Sequence, residues 1–536
     1  MSLLKLFHHL LAAWNSSRFK QGGDDEYLRT HGSSDEEPQK PVNTLITNKG
    51  AYTFFLHKTL DYYIALIFVV LPVWGIAPFS WGYTLYTLHH LYQLHPTVSL
   101  FEALKTLSLP SLVIFLYTTS ELLFSLYHYI HHKLHQRPAS PPELTLSTVV
   151  HLFHGCVAVL TDFHERYPLW FMGVPLARIR RGNVREWLAW AFYCKNVEEF
   201  DVKSEENKVL EELVGVIEKR SEHSFPEGKE EGVKCCRLNL DPVKALGRPL
   251  ILYVVVFILE LFASLILYCR GFRLYKDQQF SYWLYKPDPK ILTAAAEKND
   301  DLDQSPIVFV HGIGIGLITY LPFLGYLLAH PRLSSTRPIL LVRLPHISMQ
   351  LPNQNPPLSM TGTLLAISRV FTRHVLHTQA TWLGHSLGTV VVGWIVQHRP
   401  NLVRRVVLVD PVCFMLWEAD LCHNFVYHMP QNGVELVIWY FTAREAGIAW
   451  SIGRHFWWYQ NLLFPKHLPY NDESKRAPNA HVFLASNDRI INANRIRRYL
   501  ADEGVPTTWF EGFSHAQAVL KKGAAWEKIV RKVLCE

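Results

Sequence analysis

The chain contains cysteine but no cysteine framework. Its eight cysteines are scattered over 536 residues, and Cys235 and Cys236 are adjacent. Zinc fingers and ribbons need paired ligands at fixed short spacing, so neither a zinc site nor a disulfide scaffold is indicated. A nucleic-acid signature is also absent. The net charge of +7 is modest for this length and suits an anionic lipid surface better. A cleavable leader is not expected: Met1 to Trp14 has only Lys5 ahead of a short apolar patch and lacks a small-residue cleavage site. That patch, Leu3 to Trp14, reads as a surface-seeking segment. Residues 1–50 read as a polar disordered tail carrying it, with acidic clusters at Asp24-Asp25-Glu26 and Asp35-Glu36-Glu37.

Charge is missing from two long runs. Residues 62–79 contain none, and residues 249–269 contain only Glu260. As helices, both can cross the roughly 30 Å hydrocarbon layer. Residues 107–127, with Glu121, form a weaker third candidate. Pro72 should kink the first run. Glu121 and Glu260 suggest helix pairing or an interfacial pose as much as a functional intramembrane group. The loop 81–106 holds Lys105 alone, whereas Arg178, Arg180, Arg181 and Arg185 follow later. The positive-inside rule therefore puts residues 128–248 in the cytosol. Flanking charge does not decide whether 249–269 crosses, because Lys244 and Arg248 are matched by Arg270, Arg273 and Lys276. A chain of this length should hold more than one unit. The expected organisation is membrane segments within 51–135, a helical cytosolic-facing region at 136–248, a transmembrane or interfacial helix at 249–269, and an α/β domain at 270–536.

The chemistry centres on Gly384-His385-Ser386-Leu387-Gly388. The stretch follows a strand-like run and precedes Thr389 to Val392, the strand–turn–helix context of a nucleophile elbow. The serine sits at strained angles on a sharp turn, so the positions two before and two after it must be small, as Gly384 and Gly388 are. The pattern arises by chance too often to stand alone.

Its companions appear in the order the chemistry needs. Pro306 to Val310 reads as a buried strand feeding His311-Gly312-Ile313-Gly314-Ile315-Gly316. That loop is a candidate for oxyanion stabilisation, with the amides of Ile313 and Leu387 as donors and His311, Gly312, Gly384 and Gly388 in support. A dinucleotide glycine loop is the alternative, but its third glycine would fall at Leu317. Downstream strand-like runs at 480–486 and 507–510 lead to Asp488 and His515. Ser386 needs a base, and the base needs a carboxylate to fix its tautomer. His515 and Asp488 are the candidates. Asp410, at the end of the run Val406 to Val409, is the rival acid, and a turn or N-cap role is the plain alternative for Asp488.

These motifs together resemble an αβ-hydrolase domain of the lipase and esterase type over residues 300–536. The whole chain, with its membrane segments ahead of H-G-I-G-I-G and G-H-S-L-G, is similar to uncharacterised fungal membrane hydrolases. The resemblance implies a mostly parallel sheet with helices on both faces, an acyl intermediate on Ser386, and neither metal nor organic cofactor. It also implies a lid, and the aromatic-dense insertion 411–472 stands where this fold carries one. Its rings suit lid packing, an apolar pocket or a membrane interface. The expected activity is hydrolysis of a carboxylic, lipid-type ester at an intracellular membrane such as the endoplasmic reticulum. The expected partners are a lipophilic ester and the bilayer, with no nucleic acid and no oligomeric state assigned. Alternatives are acyl transfer by the same nucleophile, or a catalytically silent membrane scaffold that binds a lipid or partner.

Two further stretches call for comment. His128-Tyr129-Ile130-His131-His132 matches one box of membrane di-iron oxidases, but such sites need several separate boxes, so a juxtamembrane polar face is the preferred reading. Asn183 is placed to cap a helix, with Glu186 closing the box and Trp187, Trp190 and Ala191 on one face. Residues 201–234 alternate Glu and Lys and read as a solvated helix or loop.

Overall fold

Short apolar runs alternating with helices in the C-terminal half build one eight-stranded sheet. The computed structural model describes residues 58–534 apart from 289, 291–303, 331–335, 352–354, 375, 377–378 and 471–476. The tail expected at 1–50 and its apolar patch lie outside the described residues. Strands β1 (Arg273–Asp277) and β2 (Phe280–Tyr285) form a hairpin that the sequence reading did not anticipate. They are followed by β3 (Ile307–Val310), β4 (Ile339–Arg343), β5 (Ala380–His385), β6 (Val403–Val409), β7 (Ala480–Ala485) and β8 (Thr507–Phe510). The order across the sheet is β1-β2-β4-β3-β5-β6-β7-β8, antiparallel as far as β4 and parallel beyond it.

Both faces of the sheet are covered, which explains why its strands are continuous apolar runs. Val308, Val310, Leu340, Val342, Trp382, Val406 and Leu408 point into one core, under the helices Met360–His374, Gly388–His398 and Ala493–Asp502. Their neighbours Ile307, Phe309, Ile339, Leu341, Leu383, Val407 and Val409 enter a second core, against Leu321–Ala329 and Ala524–Leu534. This alternation is the period-two geometry of a strand with helices above and below.

The insertion between β6 and β7 folds into short helices over the C-terminal strand edge, among them Gly433–Ile438 and Ala446–His455. Residues 136–248 add a third core rich in aromatics. Helices Leu146–Ala158, Arg181–Leu188 and Glu205–Ser221 contribute Phe153, Val184, Leu210 and Ile217, packed with Trp170, Phe171 and Trp190. Helix Glu205–Ser221 keeps one face in solvent, as the Glu/Lys alternation indicated, and buries Leu210, Leu213, Val214 and Ile217 on the other. The cap reading of Asn183 is corrected. The helix begins earlier, at Arg181, and Asn183 is its third residue, buried, with its side-chain oxygen accepting from the amide of Arg180 and its NH2 donating to the carbonyls of Glu230 and Val233.

Among the described residues, three single helices are long and apolar enough to cross a membrane: Leu60–Leu94, Leu109–His135 and Leu250–Cys269. The second outlasts the expected run 107–127 because its histidine-bearing end packs on protein, and the first runs beyond 62–79 to Leu94. The first passes Pro72 without breaking. A π-turn over Leu66–Val70 precedes the proline and absorbs its missing N–H within a continuous helix. The histidines of the second line its inner side: His128, His131 and His135 are buried, and the ring of His135 stacks on Trp450 at 4.3 Å.

Candidate active site

Ser386 follows directly on the end of β5 at φ +50°, in the left-handed region. The glycines around it are required by close approach. A Cβ on Gly388 would lie 2.2 Å from the carbonyl oxygen of Val310, and one on Gly384 would lie 2.9 Å from a methyl of Val392. The amide of Ser386 donates to the carbonyl of Val409 at 3.0 Å. Thr389 closes the turn, its hydroxyl donating to the carbonyl of Ser386 at 2.6 Å and accepting from the amide of Val412 at 3.1 Å. The serine is thus locked between β3 and β6.

The loops after β7 and β8 bring Asp488 and His515 to the same edge. Nε2 of His515 is 2.8 Å from Oγ of Ser386, and Nδ1 is 2.6 Å from Oδ2 of Asp488. The other oxygen of Asp488 accepts from the amides of Ile490 and Ile491 at 2.8 and 3.1 Å, which fixes the carboxylate's orientation. Asp488 is therefore a turn residue as well, while the cap of the following helix is Asn492. The Asp488 side chain is buried, and the His515 side chain keeps a small exposed edge. Burial opposes charge on the imidazole, but the facing Asp488 carboxylate, and after it Asp410, raise the pKa of His515 to about 9.

Asp410, the rival acid, ends β6 at φ +45° and stands close by. Ligand atoms of Asp410, Asp488 and His515 all lie within 4.8 Å of one another. Its partners differ: its oxygens accept from the amides of Ala485 and Ala516 at 3.1 and 2.8 Å, and the imidazole bonds to Asp488 instead. Burial pushes Asp410 upward, the nearby Asp488 carboxylate adds to this, and His515 and the two amides oppose it.

The loop after β3 lies against the elbow. A Cβ on Gly312 would fall 2.7 Å from the Cβ of Ser386. Among the hydrogen bonds of the described residues, the amides of Ile313 and Leu387 donate to no protein acceptor, while their neighbours are committed: Gly312 to the hydroxyl of Tyr320 and Gly314 to the carbonyl of Ile347. His311 braces the loop. Its Nδ1–H donates to the carbonyl of Gly312 at 2.8 Å, its Nε2 accepts from the amide of Leu344 at 3.0 Å, and burial lowers its pKa to about 4, so it stays neutral. The sequence reading missed Tyr320, whose hydroxyl joins the amide of Gly312 to Nδ1 of His385 at 2.8 Å and so ties the loop to the elbow. No local spacing marks this tyrosine, because it acts across strands.

Strand order, elbow and site edge together decide the architecture. The fold is that of the αβ-hydrolases. No protein-family model matches the chain, and no curated protein sequence matches it. Among solved structures, a carboxylesterase from Bacillus subtilis is similar at 11% identity, covering 53% of this chain and 98% of its own, with a TM-score of 0.36. A membrane phospholipase A described as a bacterial virulence factor is similar at 13% identity, covering 53% and 94%, with a TM-score of 0.37. Naproxen esterase from Bacillus subtilis shows 13% identity, covering 52% and 96%, with a TM-score of 0.35.

Beside the elbow is a cavity of about 830 Å³ with a mainly apolar lining. The elbow helix contributes Leu387, Val390 and Trp394, and the insertion contributes Trp450, Phe456 and Trp457. The cavity lining includes Leu387, the residue after Ser386, but not Ser386, Asp488 or His515 themselves, and Ser386 is buried.

Proposed function

We propose that the chain is a membrane-attached serine hydrolase that cleaves carboxylic esters of lipophilic substrates. The observation carrying this reading is the continuous relay of Ser386 Oγ, His515 Nε2, His515 Nδ1 and Asp488 Oδ2 at 2.8 and 2.6 Å. In this reading Ser386 attacks the ester carbonyl and passes its proton to His515. Asp488 stabilises the resulting imidazolium and holds the ring in the tautomer whose Nε2 faces the serine. The tetrahedral oxyanion accepts from the amides of Ile313 and Leu387, which are uncommitted and fixed by their neighbours. His515 then gives its proton to the departing alcohol, and water resolves the acyl-serine by the same route.

The lipophilic substrate class rests on the cavity. Its volume of about 830 Å³ and its wall of Trp394, Trp450, Phe456 and Trp457 suit a long apolar group, and the polar residues that also line it, among them Arg343, Gln350 and Glu445, suit a polar head. Membrane attachment rests on the three long apolar helices.

The test is covalent labelling. Full-length protein should react with a fluorophosphonate probe, and Ser386→Ala should abolish the reaction while leaving the melting profile intact. Labelling that survives in Ser386→Ala removes the serine from the mechanism. Product analysis with and without an acceptor alcohol separates hydrolysis from acyl transfer.

A further inference from the structure

The helix Leu250–Cys269 joins two parts of the chain that share one interior. Met349, Ala419, Ile448 and Ile452, from the hydrolase half, are buried in the same cluster as Val149, Phe171 and Leu210, from the region before the helix. Polar contacts seal this junction. Arg454 is buried and donates to the carbonyls of Gln136, Asn239 and Asp241 at 3.0, 3.2 and 2.9 Å, and Trp458 Nε1 donates to the carbonyl of Ala191 at 2.6 Å. Both ends of the helix return to this body: the amide of Leu246 donates to the carbonyl of Arg444 at 2.9 Å just before it, and β1 begins in the sheet just after it. Two segments that bury side chains in one core lie on the same side of a bilayer. A helix between them cannot carry the chain across, whatever its length.

The two faces of the helix agree with this. Tyr253, Val256, Ala263 and Leu267 form a buried stripe, and Glu260 on the same side pairs with Arg343 and accepts from Nε2 of Gln350 at 2.8 Å. Tyr253 donates its hydroxyl to Glu445 at 2.8 Å. The opposite stripe, Val254, Phe257, Ile258, Leu261, Phe262 and Leu265, is exposed and wholly apolar. In a spanning pose Glu260 would sit near mid-bilayer and bring with it the end of β4 and the irregular backbone after it, which hydrocarbon does not tolerate. Lying along the surface, the same helix keeps Glu260 against protein and sinks only its apolar stripe.

The other two long helices differ. Leu60–Leu94 and Leu109–His135 each have one end on the insertion: Nζ of Lys58 donates to the carbonyl of Pro430 at 2.8 Å, Ala65 and Val70 pack with Leu436 and Tyr440, and His135 stacks on Trp450. They leave and return as a hairpin whose tip contains Lys105 paired to Glu102; the second helix meets the body midway, where Glu121 accepts from the amide of Leu250 at 2.7 Å and Phe124 lies edge-on to Tyr253, so the stretch beyond that contact, from Glu121 to Leu109, is ~18 Å long at ~1.5 Å per residue.

We propose that the hairpin of Leu60–Leu94 and Leu109–His135 crosses the bilayer out and back, while Leu250–Cys269 lies in the leaflet on the hydrolase side with its apolar stripe in lipid. The hydrolase half is then on the same face as residues 136–248, the cytosolic one by the positive-inside rule. Arg343 and Gln350, which hold Glu260, also line the cavity beside the elbow, so the lipid-facing helix and the cavity share a wall. The inference rests on the membrane attachment proposed above and not on the ester chemistry.

Single accessible cysteines test it in the full-length protein in sealed vesicles, on a background in which Cys194, Cys269, Cys422 and Cys535 are replaced by serine and the remaining native cysteines are buried. The three sites are Val98→Cys at the hairpin tip, Val202→Cys before the helix and Glu503→Cys in the hydrolase half, all at exposed positions. With a membrane-impermeant maleimide, the cysteines at 202 and 503 should react as one class and the cysteine at 98 as the other, with the classes exchanging on vesicle inversion. If 202 and 503 fall into opposite classes, Leu250–Cys269 crosses and the proposal is wrong; if 98 joins them, the hairpin does not cross. The melting profile of each variant checks folding, and fluorophosphonate labelling reports separately on the ester reading, because a folded chain with the expected sidedness but no labelling loses only the latter.

Discussion

Two carboxyls stand within reach of one imidazole, and exchanging each for its amide should have unequal consequences. Asp488→Asn keeps the shape but removes the charge 2.6 Å from Nδ1 of His515. An asparagine amide facing that nitrogen favours the wrong tautomer, and the imidazolium formed in the transition state loses its partner. A loss of about 10⁴ in kcat, or about 5 kcal/mol of barrier, is the expected scale. Asp410→Asn removes a carboxyl whose own partners are the amides of Ala485 and Ala516. Asparagine can still accept from one of them, so the expected loss is about 1–3 kcal/mol of stability with less than about a tenfold change in kcat. The pH dependence carries a second signature. His515 must be neutral to act as base, and its pKa is raised to about 9, so activity should rise with pH through an alkaline limb centred above an ordinary imidazole. Asp410 contributes to that elevation, so Asp410→Asn should move the limb to lower pH. Steady-state hydrolysis of a soluble p-nitrophenyl ester in detergent, from pH 6 to 10, reads both effects. A larger kcat loss in Asp410→Asn than in Asp488→Asn, or a limb that moves upward in Asp410→Asn, would refute the assignment of acid and neighbour.

Two further substitutions probe the frame. Gly388→Ala puts a methyl 2.2 Å from a backbone oxygen of β3 that cannot move independently of the sheet, so a stability loss of at least about 1–3 kcal/mol, seen as a lowered Tm with reduced probe labelling, is expected. Arg495, beside the Asp488 loop, binds Glu418 at 2.6 Å and Asp162 at 2.5 Å, linking the hydrolase half to the region before it. Arg495→Met strands the buried Glu418 carboxylate and should lower stability by about 3–5 kcal/mol, whereas the double variant Arg495→Met, Glu418→Gln should recover part of it. A double variant no more stable than the single one would mean that Glu418 is not the group left uncompensated.

Much of the hydrolase half was legible because its signals are short-range. An elbow needs small residues at fixed offsets, buried strands read as apolar runs, and each loop that carries chemistry begins where such a run stops. Strands β3, β7 and β8 fall where those runs were read, and Ser386, Asp488 and His515 emerge together at one edge. The helix cap at Asn183 was misplaced because Asn and Glu at capping spacing also fit the first turn of a helix when the side chain bonds to neighbouring loops, as it does with Glu230 and Val233. The β1–β2 hairpin escaped notice because Arg273, Lys276 and Asp277 mask its alternation on an exposed edge.

The linear order of residues determined the strand–helix alternation, the elbow, the supply of one hydroxyl, one imidazole and two carboxyls, and three runs apolar enough for a bilayer. Tertiary structure alone decided which carboxyl meets the imidazole, because Asp410 and Asp488 follow adjacent strands and only their packing gives Asp410 the amides of Ala485 and Ala516 and Asp488 the ring of His515. It also decided that residues 136–248 and the hydrolase half share a core, and hence what the helix between them can do. Hydropathy measures how readily a segment leaves water, but the side of the bilayer on which its ends emerge is set by what those ends pack against.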